Sequence, residues 1–283
     1  MKKVFYLLLT TIVVHSFFPL SQLESKDQEK KIAILVPSYN NKEWYKQNLD
    51  SIFGQQYDNY IVLYIDDCSP DGTGDLVEKY IKEKGQERRV ILFKNQERKL
   101  ALANRYKCVQ LCDDDTIIVD CDGDDMLAHL HVLSIINKIY STNDVWLTWG
   151  SYVHQSDGLF GCCDPIPKSV IIENDFRDYE WVFSHLRAYY AALYKKINYP
   201  DLLHGGHFIP TATDVAVMLP MLEMAGDHSM FVADILYIYN DLNQLNIHKT
   251  QRKFQIEMDN IIRKKPKYNK LPQLFEIPPQ QTL

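Results

Sequence analysis

The sequence predicts an α/β domain built on a mostly parallel central sheet with helices on both faces. Three observations predict it. Strand-like and helix-like segments alternate from Lys31 onward, the strand segments are apolar along their whole length, and the best of them run straight into polar clusters. Strands buried on both faces read as continuous apolar runs, whereas strands with one wet face alternate. Alternating strand and helix segments build such a sheet, and its ligands bind beyond the carboxyl ends of the strands.

The elements follow in order. Lys31 to Val36 is a buried strand ended by Pro37, and Asn40 or Asn41 caps a helix whose apolar positions Trp44, Leu49, Ile52 and Phe53 lead to Gly54. Tyr60 to Ile65 is a second strand, followed by Asp66-Asp67-Cys68-Ser69-Pro70-Asp71-Gly72-Thr73 and a helix carrying Leu76, Val77, Tyr80 and Ile81. Val90 to Phe93 is a third strand, Leu100 to Leu111 a helix, and Thr116 to Val119 a fourth strand. The second half is less regular. Val145 to Trp149 reads as a strand, Tyr179 to Ile197 as a helix or helix-and-strand segment, Thr213 to Met224 as a helix starting near Asp214, and Val232 to Tyr239 as a late strand. The tail after Arg263, basic and proline-bearing, is expected as an exposed extension.

Composition bounds the function. The 283 residues are 46% hydrophobic and 24% charged, as in ordinary globular proteins. A net charge of −6 excludes wholesale nucleic-acid binding through a basic field. Lys2 and Lys3 precede a mostly apolar run from Val4 to Leu20, the pattern of a secretory signal or short membrane anchor. Residues 1–29 are therefore set apart from a folded unit over 30–250, with halves 30–127 and 128–250, and from an extension over 251–283. The six cysteines form no C-x-x-C pair, so buried thiols are expected rather than a zinc set.

The stretch Thr116 to Leu127 is the most pointed. Its apolar strand runs into Asp120, Asp122, Asp124 and Asp125. Carboxylates this close raise one another's pKa unless a cation neutralises them. In extended chain Asp122 and Asp124 point the same way and suit one hard divalent ion, Mn²⁺ or Mg²⁺, that also touches a phosphate. An EF-hand loop starting at Asp120 fails, with Asp125 where glycine is needed and His131 where glutamate is needed.

Three motifs in order, Ile-Leu-Val-Pro-Ser-Tyr-Asn at 34–40, Ile-Asp-Asp-Cys-Ser-Pro-Asp-Gly-Thr at 65–73 and Val-Asp-Cys-Asp-Gly-Asp-Asp-Met-Leu at 119–127, resemble the family 2 glycosyltransferases. That resemblance implies the GT-A fold of nucleotide-diphospho-sugar transferases and a nucleotide-sugar donor, a UDP-sugar first among them. It implies that Pro37, Tyr39, Asn40 and Asp67 line the nucleoside pocket with Asp66 in support, and that Lys99 and Asn104 flank the diphosphate. Asp122 would face the ribose, Asp124 would hold the metal, and His248 would complete its shell. It further implies Asp214 as the base that deprotonates an acceptor hydroxyl, in an inverting transfer. Asp214 also suits a helix N-cap, and the two roles are compatible. Phe183-Ser184-His185-Leu186-Arg187 resembles an acceptor-side stretch, or else forms a plain helix. Lys249 would offset diphosphate charge. The family often has a glycine near Leu100, and this chain does not. The glycan, lipid or protein acceptor stays open.

Other readings fit less well. Pro37-Ser38-Tyr39-Asn40 is not the glycine-rich loop of a nucleotidyltransferase, and Gly72-Thr73-Gly74 lacks the third glycine of a dinucleotide site. The alternative of a different class is a catalytically degenerate protein that binds sugar nucleotides or partners on the same fold.

Overall fold

A computed structural model of the chain describes residues 29–276, with the side chains of Ile247 and His248 outside the described set. The N-terminal apolar segment lies outside the described residues. Among the described residues no helix is long and apolar enough to cross a membrane.

The chain runs β1 (Ile32–Ser38), α1 (Tyr45–Phe53), β2 (Tyr60–Asp66), α2 (Thr73–Glu83), β3 (Val90–Lys94), α3 (Ala101–Gln110) and β4 (Ile117–Asp120). It continues through β5 (Met126–Leu127), α4 (Val132–Thr142), β6 (Leu147–His154), α5 (Lys168–Glu173), β7 (Ala188–Tyr190) and α6 (Ala191–Lys195). A small hairpin of β8 (Leu203–His204) and β9 (His207–Phe208) precedes α7 (Thr213–Ala225), β10 (Ser229–Tyr239), α8 (Ile247–Thr250) and α9 (Arg252–Arg263).

The main sheet has the order β3-β2-β1-β4-β7-β6-β10-β5. Strands β3, β2, β1 and β4 are parallel to one another, and β6 is parallel to β10, whereas β7 pairs antiparallel with β4 and β6, and β5 antiparallel with β10. Every residue of β1 except Pro37 is buried, which requires cover on both faces of the sheet. Register then fixes the site. Ser38 lies opposite Asp66 and Leu35 opposite Asp120, so the polar segments after β1, β2 and β4 leave the sheet at one edge.

Two segments differ from the sequence expectation, and a third decides between two readings of it. The first helix starts at Tyr45, because the Asn41 carbonyl accepts the N–H groups of Trp44 and Tyr45 while the Asn41 amide turns to Ser38. Of the two readings of Tyr179 to Ile197, helix-and-strand holds: Ala188 to Tyr190 pair as β7 between β4 and β6, and α6 follows directly. The described part of the tail after Arg263, residues 264–276, is docked rather than extended into solvent. Tyr268 N–H donates to Glu223, Leu271 N–H donates to the Met224 carbonyl, and Leu274 is buried, so apolar residues set among the prolines and lysines anchor it to α7.

All six cysteines are free thiols, with Cys108, Cys112, Cys121 and Cys163 buried. That is core use of a small hydrophobe.

Candidate active site

A cavity of about 310 Å³ opens beyond the carboxyl ends of β1, β2 and β4, within the range of small-ligand sites. Pro37, Tyr39, Asp67, Asn104, Asp122, Asp124 and Asp214 all line it. Asn40, Asp66 and Lys99 do not line it, and the His248 side chain lies outside the described residues.

On the nucleoside side, Arg98 lays its guanidinium 3.8 Å from the centre of the Tyr39 ring. Such stacking holds both side chains at the cavity wall. Asp67 is buried and already well supplied with donors. It accepts the Lys99 and Leu100 N–H groups and the Asn95 amide, each at 2.8 Å. Burial pushes its carboxyl up, but the Asn104 amide, the Lys99 N–H, the Asn95 amide and the Leu100 N–H together hold it below the usual carboxylate range. Asp66 turns the other way, accepts the Ser69 N–H, and packs where a Cβ on Gly74 would come within 2.8 Å of its oxygen. It therefore shapes the turn into α2. Lys99 serves through its backbone, while its ammonium pairs with Glu97 at the surface. Asn40, at φ 57°, donates its N–H to Ser69 and braces the same turn.

The carboxylates after β4 form a turn rather than the extended pair expected. Asp125 N–H donates to the Asp122 carbonyl, and Gly123 lies so close to Ser38 and Asn41 that a Cβ there would meet Ser38 at 2.7 Å. Glycine is the residue that fits such an approach. Asp124 accepts the Asn243 amide at 2.6 Å, yet burial and the neighbouring Asp122 charge push its carboxyl up to about 6. Asp125 is pushed well above the usual range by burial and by Asp124 and Asp122, although both its oxygens are engaged, by the Tyr237 hydroxyl at 2.6 Å and the Asn240 N–H at 2.7 Å. Arg105 takes one Asp122 oxygen at 2.8 Å.

This crowding is what a cation relieves. Asp122, Asp125 and His185 place ligand atoms within 4.8 Å of one another, a group that does not include Asp124. His185 stacks on Tyr237 at 4.3 Å, and burial with the charges of Arg187 and Arg105 keeps its ring well below its normal pKa. A neutral imidazole is the ligating form. The residues present therefore fit a hard divalent ion.

Asp214 sits in the first turn of α7, partly exposed, with Arg187 3.9 Å from its carboxylate. Ala212, at φ 50°, turns the chain into that helix. Phe183 to Arg187 is irregular backbone leading into β7, not a helix, and His185 and Arg187 both reach the cavity. Lys249 donates to the carbonyls of Asp241 and Asn243, so its ammonium is spent on the closing loop. Reading the sequence missed Arg98, Arg105, Asn243 and the metal-side position of His185. The only local signal for any of them was the acceptor-like stretch at 183–187.

Residues 33–160 match the family described as glycosyl transferase family 2. Glycosyltransferase GlyG of Streptococcus pneumoniae serotype 4 is 21% identical over 219 residues, covering 74% of this chain and 70% of that protein. Three other curated glycosyltransferases are matched over 28%, 18% and 34% of their own lengths, so the chain spans about a third or less of each. Among solved structures, S. aureus TarS 1–349 in complex with UDP-GlcNAc aligns with a TM-score of 0.59 at 15% identity, over 82% of this chain and 65% of that one. Mannosyltransferase PcManGT from Pyrobaculum calidifontis, in complex with GDP-Man and Mn²⁺, aligns at 0.58 and 17% identity, over 85% and 66%. At such identity the structural likeness establishes the fold, which is GT-A. Residues 33–160, a little under half of the chain, are thus similar to the family 2 glycosyltransferases.

Proposed function

We propose that this protein transfers a sugar from a nucleoside-diphosphate donor to an acceptor hydroxyl with inversion, using Mn²⁺ or Mg²⁺. The observation that carries the reading is one cavity lined by Tyr39, Asp122, Asp124 and Asp214 together. Structural neighbours holding UDP-GlcNAc and GDP-Man support a nucleotide-sugar donor, and the Mn²⁺ in one of them supports a divalent ion. The apolar segment from Val4 to Leu20 supports membrane association or entry into a secretory route.

Asp122 and Asp124 would hold the ion, with Asp125 and Asn243 fixing the turn that presents them. When bound, the ion neutralises charge growing on the diphosphate leaving group. Tyr39 offers its ring to the nucleoside. Asp214 takes the proton of the acceptor hydroxyl as that oxygen bonds to the anomeric carbon and the bond to the diphosphate oxygen breaks. Its seat in the cavity favours this over a protein that binds without turnover.

Nucleoside-diphosphate release from a panel of UDP- and GDP-sugars, with Mn²⁺ or with EDTA, tests the reading. Asp214→Asn should keep donor-induced thermal stabilisation and lose transfer by about 10²–10⁴-fold. Wild-type transfer by that variant, or no response to any nucleotide sugar, would overturn it.

A further inference from the structure

Five charged side chains alternate in sign through the site: Asp122, Arg105, Asp120, Arg187 and Asp214. Successive contacts are 2.8 Å from Asp122 to Arg105, 3.5 Å from Arg105 to Asp120, 3.6 Å from Asp120 to Arg187 and 3.9 Å from Arg187 to Asp214. The three inner groups are nearly sealed from water, with side-chain exposures of 4%, 1% and 2% for Arg105, Asp120 and Arg187. Asp120 does not line the cavity, yet it contacts two of the arginines that do, Arg105 and Arg187.

The hub is built on the sheet. Asp120 N–H donates to the Arg187 carbonyl, extending the pairing of β4 with β7, and the Tyr189 hydroxyl reaches the Asp120 carboxylate at 3.3 Å. Arg105 also donates to the Thr213 hydroxyl at 2.9 Å, one residue before Asp214. Burying such a chain of ions costs stability relative to apolar packing. Both ends of the chain are the carboxylates that the proposed function uses, on opposite halves of the catalytic unit.

We infer that Asp120 is a positioning residue that couples the cation-holding Asp122 to the base Asp214, by anchoring one arginine for each. This rests on the proposed function. Without the shared central charge, Arg105 settles onto Asp122 and competes with the ion, while Arg187 settles onto Asp214 and restrains it.

The full chain tests this with two readouts, Mn²⁺ binding by electron paramagnetic resonance without donor, and transfer kinetics. Asp120→Asn should weaken Mn²⁺ binding by about 10–100-fold and lower kcat for transfer by at least about tenfold, the range for residues that orient ligands from behind. A role in stability alone would lower Tm and leave Mn²⁺ affinity per folded molecule unchanged. Arg187→Lys, which keeps the charge and loses the planar fork, should lower kcat by about tenfold while Mn²⁺ affinity stays within about twofold. It carries the test if Asp120→Asn does not fold. Wild-type Mn²⁺ affinity in Asp120→Asn sinks the inference whatever the turnover, as does a loss of Mn²⁺ affinity in Arg187→Lys as large as its loss of kcat. Mn²⁺ binding by the unmodified chain with no turnover of any donor instead sinks the proposed function.

Discussion

Asp67 holds Leu100 in a backbone conformation that otherwise belongs to glycine. Leu100 sits at φ 67°, ψ 165°, and its N–H donates to one Asp67 oxygen at 2.8 Å while the Lys99 N–H donates to the other at 2.8 Å. Residues with a Cβ avoid that region, at a cost of roughly 1–3 kcal/mol. Hydrogen bonds to a buried carboxylate are among the stronger ones available to offset it. Leu100, near which the resemblance leads to the expectation of a glycine, thus itself takes a backbone conformation that favours glycine. The chain still enters α3 beside the cavity, with Leu100 lining it.

Leu100→Gly tests that account. Relief of the strain and the added freedom of the unfolded chain oppose each other at roughly 1 kcal/mol each. Stability by denaturant titration should therefore move by less than about 1 kcal/mol, and donor affinity should be retained. A loss of several kcal/mol would mean that the leucine side chain, not the backbone, holds this corner.

Asp67→Asn should act the other way. Removing the charge leaves two backbone N–H groups facing a weaker acceptor, at a cost of about 1–3 kcal/mol. The pH dependence has a definite sign. The folded-state carboxyl lies below its ordinary value, so its contribution is present above the unfolded pKa near 4 and is lost as pH falls through the lower folded value. Thermal melts from pH 6 down to pH 2 should show a shallower acid loss for Asp67→Asn than for the unmodified chain. Parallel curves would remove Asp67 from the acid response.

What the sequence made legible follows from range. Continuous apolar runs announced β1, β2 and β4, and acids directly after a strand announced Asp122 and Asp124, because those signals are local. Arg98 over Tyr39, and Arg105 and Arg187 flanking Asp120, arise from partners 59, 15 and 67 positions apart, found from 98 − 39, 120 − 105 and 187 − 120. No local pattern marks them. The extended geometry expected for Asp122 and Asp124 failed because Gly123 packs against Ser38 and Asn41 and closes a turn. The docked tail was hidden by its composition, since lysines and prolines surround the few residues that anchor it.

Asp124→Asn separates stability from turnover. Burial and Asp122 push the Asp124 carboxyl up to about 6, so at neutral pH without an ion the folded state carries an unfavourable charge. The amide should raise the Tm of the ion-free protein at pH 7.5 and abolish Mn²⁺-dependent donor turnover. Calorimetry with and without Mn²⁺ measures both effects, because the ion should stabilise the unmodified chain and leave the variant unmoved. A variant that melts lower than the unmodified chain without Mn²⁺ would show that Asn243 already outweighs the crowding.

A strap of buried charge lies behind the site. Arg177 donates to both Glu223 oxygens, at 2.5 and 2.9 Å, and to the Ile262 carbonyl at 2.7 Å, while Tyr268 N–H donates to Glu223 at 2.9 Å. One buried ion pair therefore joins α7, the end of α9 and the docked tail. Glu223→Ala strands the Arg177 charge in the interior and should cost about 3–5 kcal/mol. Replacing the pair together, as Arg177→Met with Glu223→Leu, should recover much of that loss, since apolar packing at a buried ion pair is often neutral or better. Neither residue lines the cavity, so nucleotide-sugar affinity of the folded fraction should be unchanged. Denaturant midpoints of the single and double variants check the pair, and a double variant no more stable than Glu223→Ala would assign the loss to the tail's hydrogen bonds instead.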